Sequence, residues 1–148
     1  MAGLVVSTKT LGEFADVQWM KKPKDVPGAD SLLDGLANTQ AMAAAGSDIA
    51  KTVLDLVIDG VGGWHIPALD QMTVLRPTLF PRAGIVPAQT IAEAFKDGGP
   101  EAFETECYWT STQYSAGFAW LQGFGYGYQY TSDKDWRCRV RAVRKFTL

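Results

Sequence analysis

The chain of 148 residues has one histidine, two cysteines and little net charge, −2 at neutral pH. Each shortage removes a class of function. His65 is the only histidine, no Ser–His–Asp grouping is suggested around it, and a lone imidazole beside Trp64 reads as structural. His65 and two cysteines also fall short of the ligands that a zinc site needs. The weak acidic balance gives no electrostatic case for nucleic acid, which usually needs a strongly basic face. No apolar run reaches the roughly 20 residues that span a bilayer, which argues against membrane insertion. The opening residues, MAGLVVS, have neither the basic start nor the apolar stretch of an export signal, so synthesis in the cytosol is expected. In that reducing setting Cys107 and Cys138 are expected to be two buried free thiols, with a disulfide as the alternative.

What the sequence does have is 47% hydrophobic and 20% charged residues, the balance of one globular domain over residues 1–148. Aromatics crowd into residues 106–146, which hold all five tyrosines and three of the five tryptophans. This stretch ends in WRCRVRA, where Trp136, Cys138, Val140 and Ala142 alternate with Arg137, Arg139 and Arg141. Such alternation is the mark of a half-buried strand, and its slip at Ala142 and Val143 suggests a bulge or burial on both faces. Two aromatic runs around Gly125-Tyr126-Gly127 read as a hairpin, and residues 132–135 as a polar turn. A three-stranded meander follows, preceded by one strand at 107–111.

The first two-thirds reads as helices and loops. Residues 4–6 and 13–20 are extended candidates, and 21–28 is a charged, Pro- and Gly-broken loop. Residues 1–30 form a strand and loop available for docking. A helix over 40–45 would be capped by Asn38 or Thr39, and Ser47 caps a second with Ile49, Val53, Leu56 and Val57 on one stripe. A third, with Leu69, Met72 and Leu75, ends near Pro77, and a small one covers 89–95. Helices followed by strands indicate an α+β fold, short helices on a small antiparallel sheet, with the N-terminal strand joining the last one.

An ordered set of motifs then stands out: Trp64-His-Ile-Pro, Tyr108-Trp-Thr-Ser-Thr-Gln-Tyr114, Ala119-Trp120, Phe124-Gly-Tyr-Gly127 and Arg139-Val-Arg-Ala-Val-Arg144. The set resembles the C-terminal domain of collagen-like bacterial adhesins. Their C-type lectin-like fold is shared with formylglycine-generating enzymes and with variable proteins of diversity-generating retroelements. The chain departs from that pattern at Ile66, where a Leu is usual, and at Gln71, where an acid is usual. The resemblance implies a C-type lectin-like fold from about Leu32 to Phe146. It implies function less directly, because one fold hosts many activities.

The enzymatic relatives hold copper with nearby cysteines, a spacing that Cys107 and Cys138 lack. The calcium motifs Glu-Pro-Asn, Gln-Pro-Asp and Trp-Asn-Asp are missing, and Asp133 with Asp135 cannot supply the roughly six to eight oxygens calcium takes. No catalytic residue, metal or cofactor is therefore expected. The candidate ligand-binding residues are Tyr114, Phe118, Tyr126, Tyr128, Tyr130, Asp133, Asp135 and Trp136, since Tyr and Trp combine a large rigid face with a polar handle. In the variable relatives the corresponding region contacts ligand. The competing reading is that the tyrosines merely cover a sheet face. Trp64, Trp109 and Trp120 are assigned to the core, and Arg137, Arg139, Arg141 and Arg144 to ion pairs and carbonyl bonds.

The expected function is non-enzymatic display on a bacteriophage virion, as capsid decoration, tail or fibre-tip protein made in the host cytoplasm. Its expected partners are other virion proteins, a host-surface glycan or protein, and further copies of itself. The alternatives are a structural capsid-cementing or tail-assembly protein and an adhesin domain on a bacterial cell surface.

Overall fold

The computed structural model describes residues 2–147. In chain order these form β1 (Ala2–Val6), a single turn α1 (Lys9–Gly12), β2 (Glu13–Gln18), α2 (Gly35–Ala44), α3 (Asp48–Leu54) and α4 (Leu69–Leu79). A 3-10 turn at Glu93–Phe95 precedes β3 (Cys107–Gln113), β4 (Phe118–Gly123), β5 (Gln129–Asp133), β6 (Arg137–Arg141) and β7 (Val143–Thr147). The class is α+β. One sheet has the order β2-β6-β3-β4-β5, and a second pairs β1 with β7.

The strand order corrects the expected meander. β3, β4 and β5 are consecutive antiparallel neighbours, but β6 does not lie against β5. It crosses to the far side of β3, runs parallel to it, and pairs antiparallel with β2 on its other edge. Alternation along a strand fixes which residues share a face and says nothing about which strand comes next. The crossing suits the arginines, because it sets β6 beside the carboxylate of Glu13 on β2. It leaves β5, with Tyr130, at an edge.

The slip after Arg141 is a change of sheet. Arg141, Ala142 and Val143 are all buried, and Ala142 bonds through its backbone to Gly12 and Ser7 while Val143 bonds to His65. The strand then continues as β7 beside β1, Ala2 opposite Thr147 and Val6 opposite Val143, so the described ends of the chain lie together as expected.

The larger sheet is packed on both faces. Trp109, Leu121, Cys138 and Val140 meet Met42, Ile49 and Val53 of the α2–α3 pair and Trp19. Tyr108 and Phe124 meet Met72 and Leu75 of α4 together with Phe80 and Phe103. Neighbours Tyr108 and Trp109 thus point into opposite cores, as the pleat requires.

Helix boundaries differ from the expectation at polar residues used internally. Asp34 caps α2 by accepting from Ala37 N at 3.0 Å, so the helix starts before Asn38. Asn38 and Thr39 are buried. Asn38 accepts from Ser31 N (3.0 Å) and donates to Ser31 O (2.7 Å), while Thr39 Oγ1 accepts from Ile66 N at 3.0 Å. Ser47 caps α3 as expected, but that helix stops at Leu54 and leaves Val57 exposed. α4 runs two residues beyond Pro77, and of the helix expected at 89–95 only the 3-10 turn forms.

The 21–28 loop is more tightly held than its composition suggests. Lys134, fully buried against the Trp19 ring, donates through Nζ to Lys24 O and to Gln113 Oε1, each at 2.8 Å. Gln113 in turn bonds both backbone groups of Val26, which is buried. Among the described residues no helix is long and apolar enough to cross a membrane.

Candidate functional site

The thiol expectation is the first correction at the site. Cys107 and Cys138 are joined by a disulfide, with Cα atoms 5.3 Å apart. The parallel register that sets Tyr108 beside Arg139 brings the preceding residue of each strand together as well. The expectation of free thiols rested on compartment alone, and the crossing of β6 to β3 lay outside what the sequence showed.

Above this disulfide the chain exposes four large aromatic side chains. Tyr126, Tyr128, Tyr130 and Trp136 are 65%, 71%, 48% and 60% accessible. They rim two adjoining depressions of about 380 and 500 Å3 that share Glu106, Cys107 and Tyr130. Tyr126 and Tyr128 stand over the first, and Trp136 over the second. Tyr130, on the edge strand β5, lines both and divides them.

The floor is charged and internally paired. Arg139 donates from Nε to Glu106 Oε2 at 2.6 Å and from a terminal nitrogen to Glu13 Oε2 at 3.2 Å. Glu106 stays largely open to solvent, so this pair can still offer donors and an acceptor to a ligand. The loop carrying Tyr126 and Tyr128 is clamped from below by two arginines. Arg76 donates to Gly127 O (2.9 Å) and Arg82 to Gly125 O (2.8 Å), with the Arg82 guanidinium 5.2 Å over the Tyr126 ring. Gly127 has φ of 80°, and a Cβ there would meet Pro87 Cδ at 2.7 Å, so glycine is required for that turn.

The structure gathers only part of the candidate set. Tyr126, Tyr128, Tyr130 and Trp136 share the groove. Tyr114 and Phe118 are exposed at the opposite end of the β4–β5 hairpin, where Tyr114 stands edge-on to Trp120 at 5.6 Å. Asp133 lies across from Phe118 in the ladder, and Asp135 sits in the following turn, its carbonyl accepting from Gln18 Nε2. Among the described residues no group of three or more His, Cys, Asp or Glu is placed to hold a metal ion. Arg82, Glu106 and Arg139 complete the site and were not among the candidates. Arg82 lies in a loop with no periodic signal, while Glu106 is marked only by its place directly before Cys107.

The remaining candidates are structural. Trp64 and Trp109 are buried and Trp120 is half-buried, with Trp19 and Tyr108 adding rings to the core that the pattern did not single out. Arg141 is fully buried, donating to Ser7 O (3.0 and 2.8 Å), to Glu101 O (3.2 Å) and to Glu13. Tyr108 donates to Glu13 at 2.7 Å, and burial, reinforced by that carboxylate, raises its hydroxyl well above the usual tyrosine range. Arg137 donates to Asp16 O and Arg144 to Gly62 O. The row of arginines therefore makes the ion pairs and carbonyl bonds expected of it. His65 is buried, and burial lowers its pKa and favours the neutral ring.

The groove thus offers flat aromatic faces at its rim, and hydrogen-bonding charge at its floor, on a frame fixed by covalent and ionic contacts. No family model matches the sequence, and no curated protein matches it.

Proposed function

We propose that the chain is a non-enzymatic binding module of C-type lectin-like fold that holds its ligand in the aromatic groove. The observation that carries this reading is the rim of four aromatic side chains, each about half or more exposed, above the Arg139–Glu106 pair. Rings left in water forgo burial of large apolar area, and aromatics grouped at a concave surface suit recognition by stacking and shape. The two arginine clamps and the disulfide preorganise the rim, which lowers the entropy lost on binding. The lectin-like reading is supported by the motif resemblance together with the α+β class and the paired chain ends.

The same proposal makes the chain a bacteriophage surface protein, in capsid decoration, tail or fibre tip, contacting a host-surface glycan or protein. An adhesin domain on a bacterial cell is the second setting. The disulfide supports both over a lasting role in a reducing compartment. The test is particles carrying Tyr126→Ala, Tyr128→Ala and Tyr130→Ala together. Normal incorporation with lost attachment is expected. Lost incorporation would replace this reading with a cementing role.

A further inference from the structure

Among the described residues the sheet edge at β1 is unpartnered, and its sequence carries no charge or proline to protect it. The register of β1 with β7, and the bond from Ser7 N to Ala142 O, turn the backbone groups of Gly3 and Val5 toward β7. Those of Leu4 and Val6 therefore face outward, where they meet no protein partner among the described residues. β1 reads Ala-Gly-Leu-Val-Val, without charge, proline or bulge, the devices by which exposed edges are usually blunted. Beside it runs a shallow apolar groove between Leu4 and the α4 residues Val74, Leu75 and Thr78. Val74 is 64% exposed on that helix although it is apolar.

We propose that this edge pairs antiparallel with the same edge of a second copy. The open groups are main-chain donors and acceptors along an extended segment, so their complement is another extended segment. An uncharged strand laid against itself sets no like charges opposite one another, and the groove beside it holds a single charged residue, Lys145. A two-fold axis through the strand pair joins two small sheets into one of four strands, in the order β7-β1-β1-β7. Because α4 flanks β1, the same axis brings two α4 helices alongside each other and covers Val74, Thr78 and Leu4 at once. One patch thereby satisfies both copies, as a closed two-fold interface requires. The inference is independent of the aromatic groove. Its consequence is that two grooves are carried by one particle, which strengthens attachment to a repetitive surface.

Sedimentation equilibrium over the micromolar range tests it. The wild-type chain is expected at twice its 16.1 kDa mass. Val74→Lys, an exposed position whose change leaves the core untouched, sets like charges across the axis and is expected to weaken the dimer at least tenfold, a loss of about 1.4 kcal/mol. Thr78→Lys, a second exposed position on the same face of α4, is expected to do the same with an unchanged circular dichroism spectrum. A wild-type monomer across the whole range overturns the proposal. So does an oligomer that Val74→Lys leaves intact, which would assign association to another surface.

Discussion

Opening the Cys107–Cys138 disulfide is expected to cost both stability and ligand grip. The bond closes a loop spanning 31 positions and joins two strands that share a single registered pair, Tyr108 with Arg139. The chain entropy withheld from the unfolded state by a loop of that length is about 12 cal/mol/K, or about 4 kcal/mol at 25 °C. At this chain length each kcal/mol moves the melting temperature by about 2–4 °C, so full reduction should lower it by about 10 °C. Because the disulfide lies under Tyr130, loosening β6 from β3 also frees the floor of the groove. The assay is thermal and urea unfolding followed by tryptophan fluorescence, with and without reductant, alongside Cys107→Ala/Cys138→Ala. The double variant should match the reduced protein and respond to reductant no further. Two thiols titrating in the native protein, or a midpoint indifferent to reductant, would refute the reasoning.

Three further outcomes follow from particular contacts. Arg141→Ala strips a fully buried guanidinium from Glu13 and from two backbone carbonyls, and should cost about 3–5 kcal/mol in the same urea assay. Lys134 has its pKa lowered by burial, partly opposed by Asp25 and Asp30, to about 8. Between pH 8 and 10 the unfolded lysine holds more proton than the folded one, so its contribution to stability rises with pH, by up to about 1.4 kcal/mol per unit. Lys134→Met should flatten that rise; Tyr108, held protonated in the fold, acts in the opposite sense only at higher pH. Gly127→Ala forces a side chain into a positive φ against Pro87, and should cost about 1–2 kcal/mol and shift Tyr126 and Tyr128, read as weaker groove binding.

The sequence disclosed local structure more fully than pairing. The alternation in WRCRVRA correctly identified a strand burying Cys138 and Val140, and the slip at Ala142 marked the point where the chain changes sheets. It assigned Arg141 to the polar face, yet Arg141 is buried, because the hydrogen-bonding demand of a guanidinium is met there by Ser7 and Glu101, residues far away in sequence. For the same reason Asn38 and Thr39 read as caps. Their side chains bond backbone at the surface or inside the fold equally well, and only the placing of Ser31 and Ile66 decides which. Tyr126, Tyr128, Tyr130 and Trp136 were visible as one aromatic cluster. That Tyr114 and Phe118 lie at the other end of the hairpin depends on its length and register. Arg82 and Arg76 reach the tyrosine loop across 43 and 51 positions, a distance over which no local pattern carries information.

The most direct test of the proposed groove is binding of the purified chain to bacterial cells and to an array of bacterial surface glycans. Wild type would be compared with Tyr130→Ala/Trp136→Ala and with Tyr114→Ala/Phe118→Ala. Each groove aromatic that fills a contact is worth about 1–2 kcal/mol, so the first pair should weaken binding more than tenfold. The second pair, at the far end of the hairpin, should bind as wild type does. Equal binding by all three proteins, or a loss confined to Tyr114→Ala/Phe118→Ala, would contradict the account.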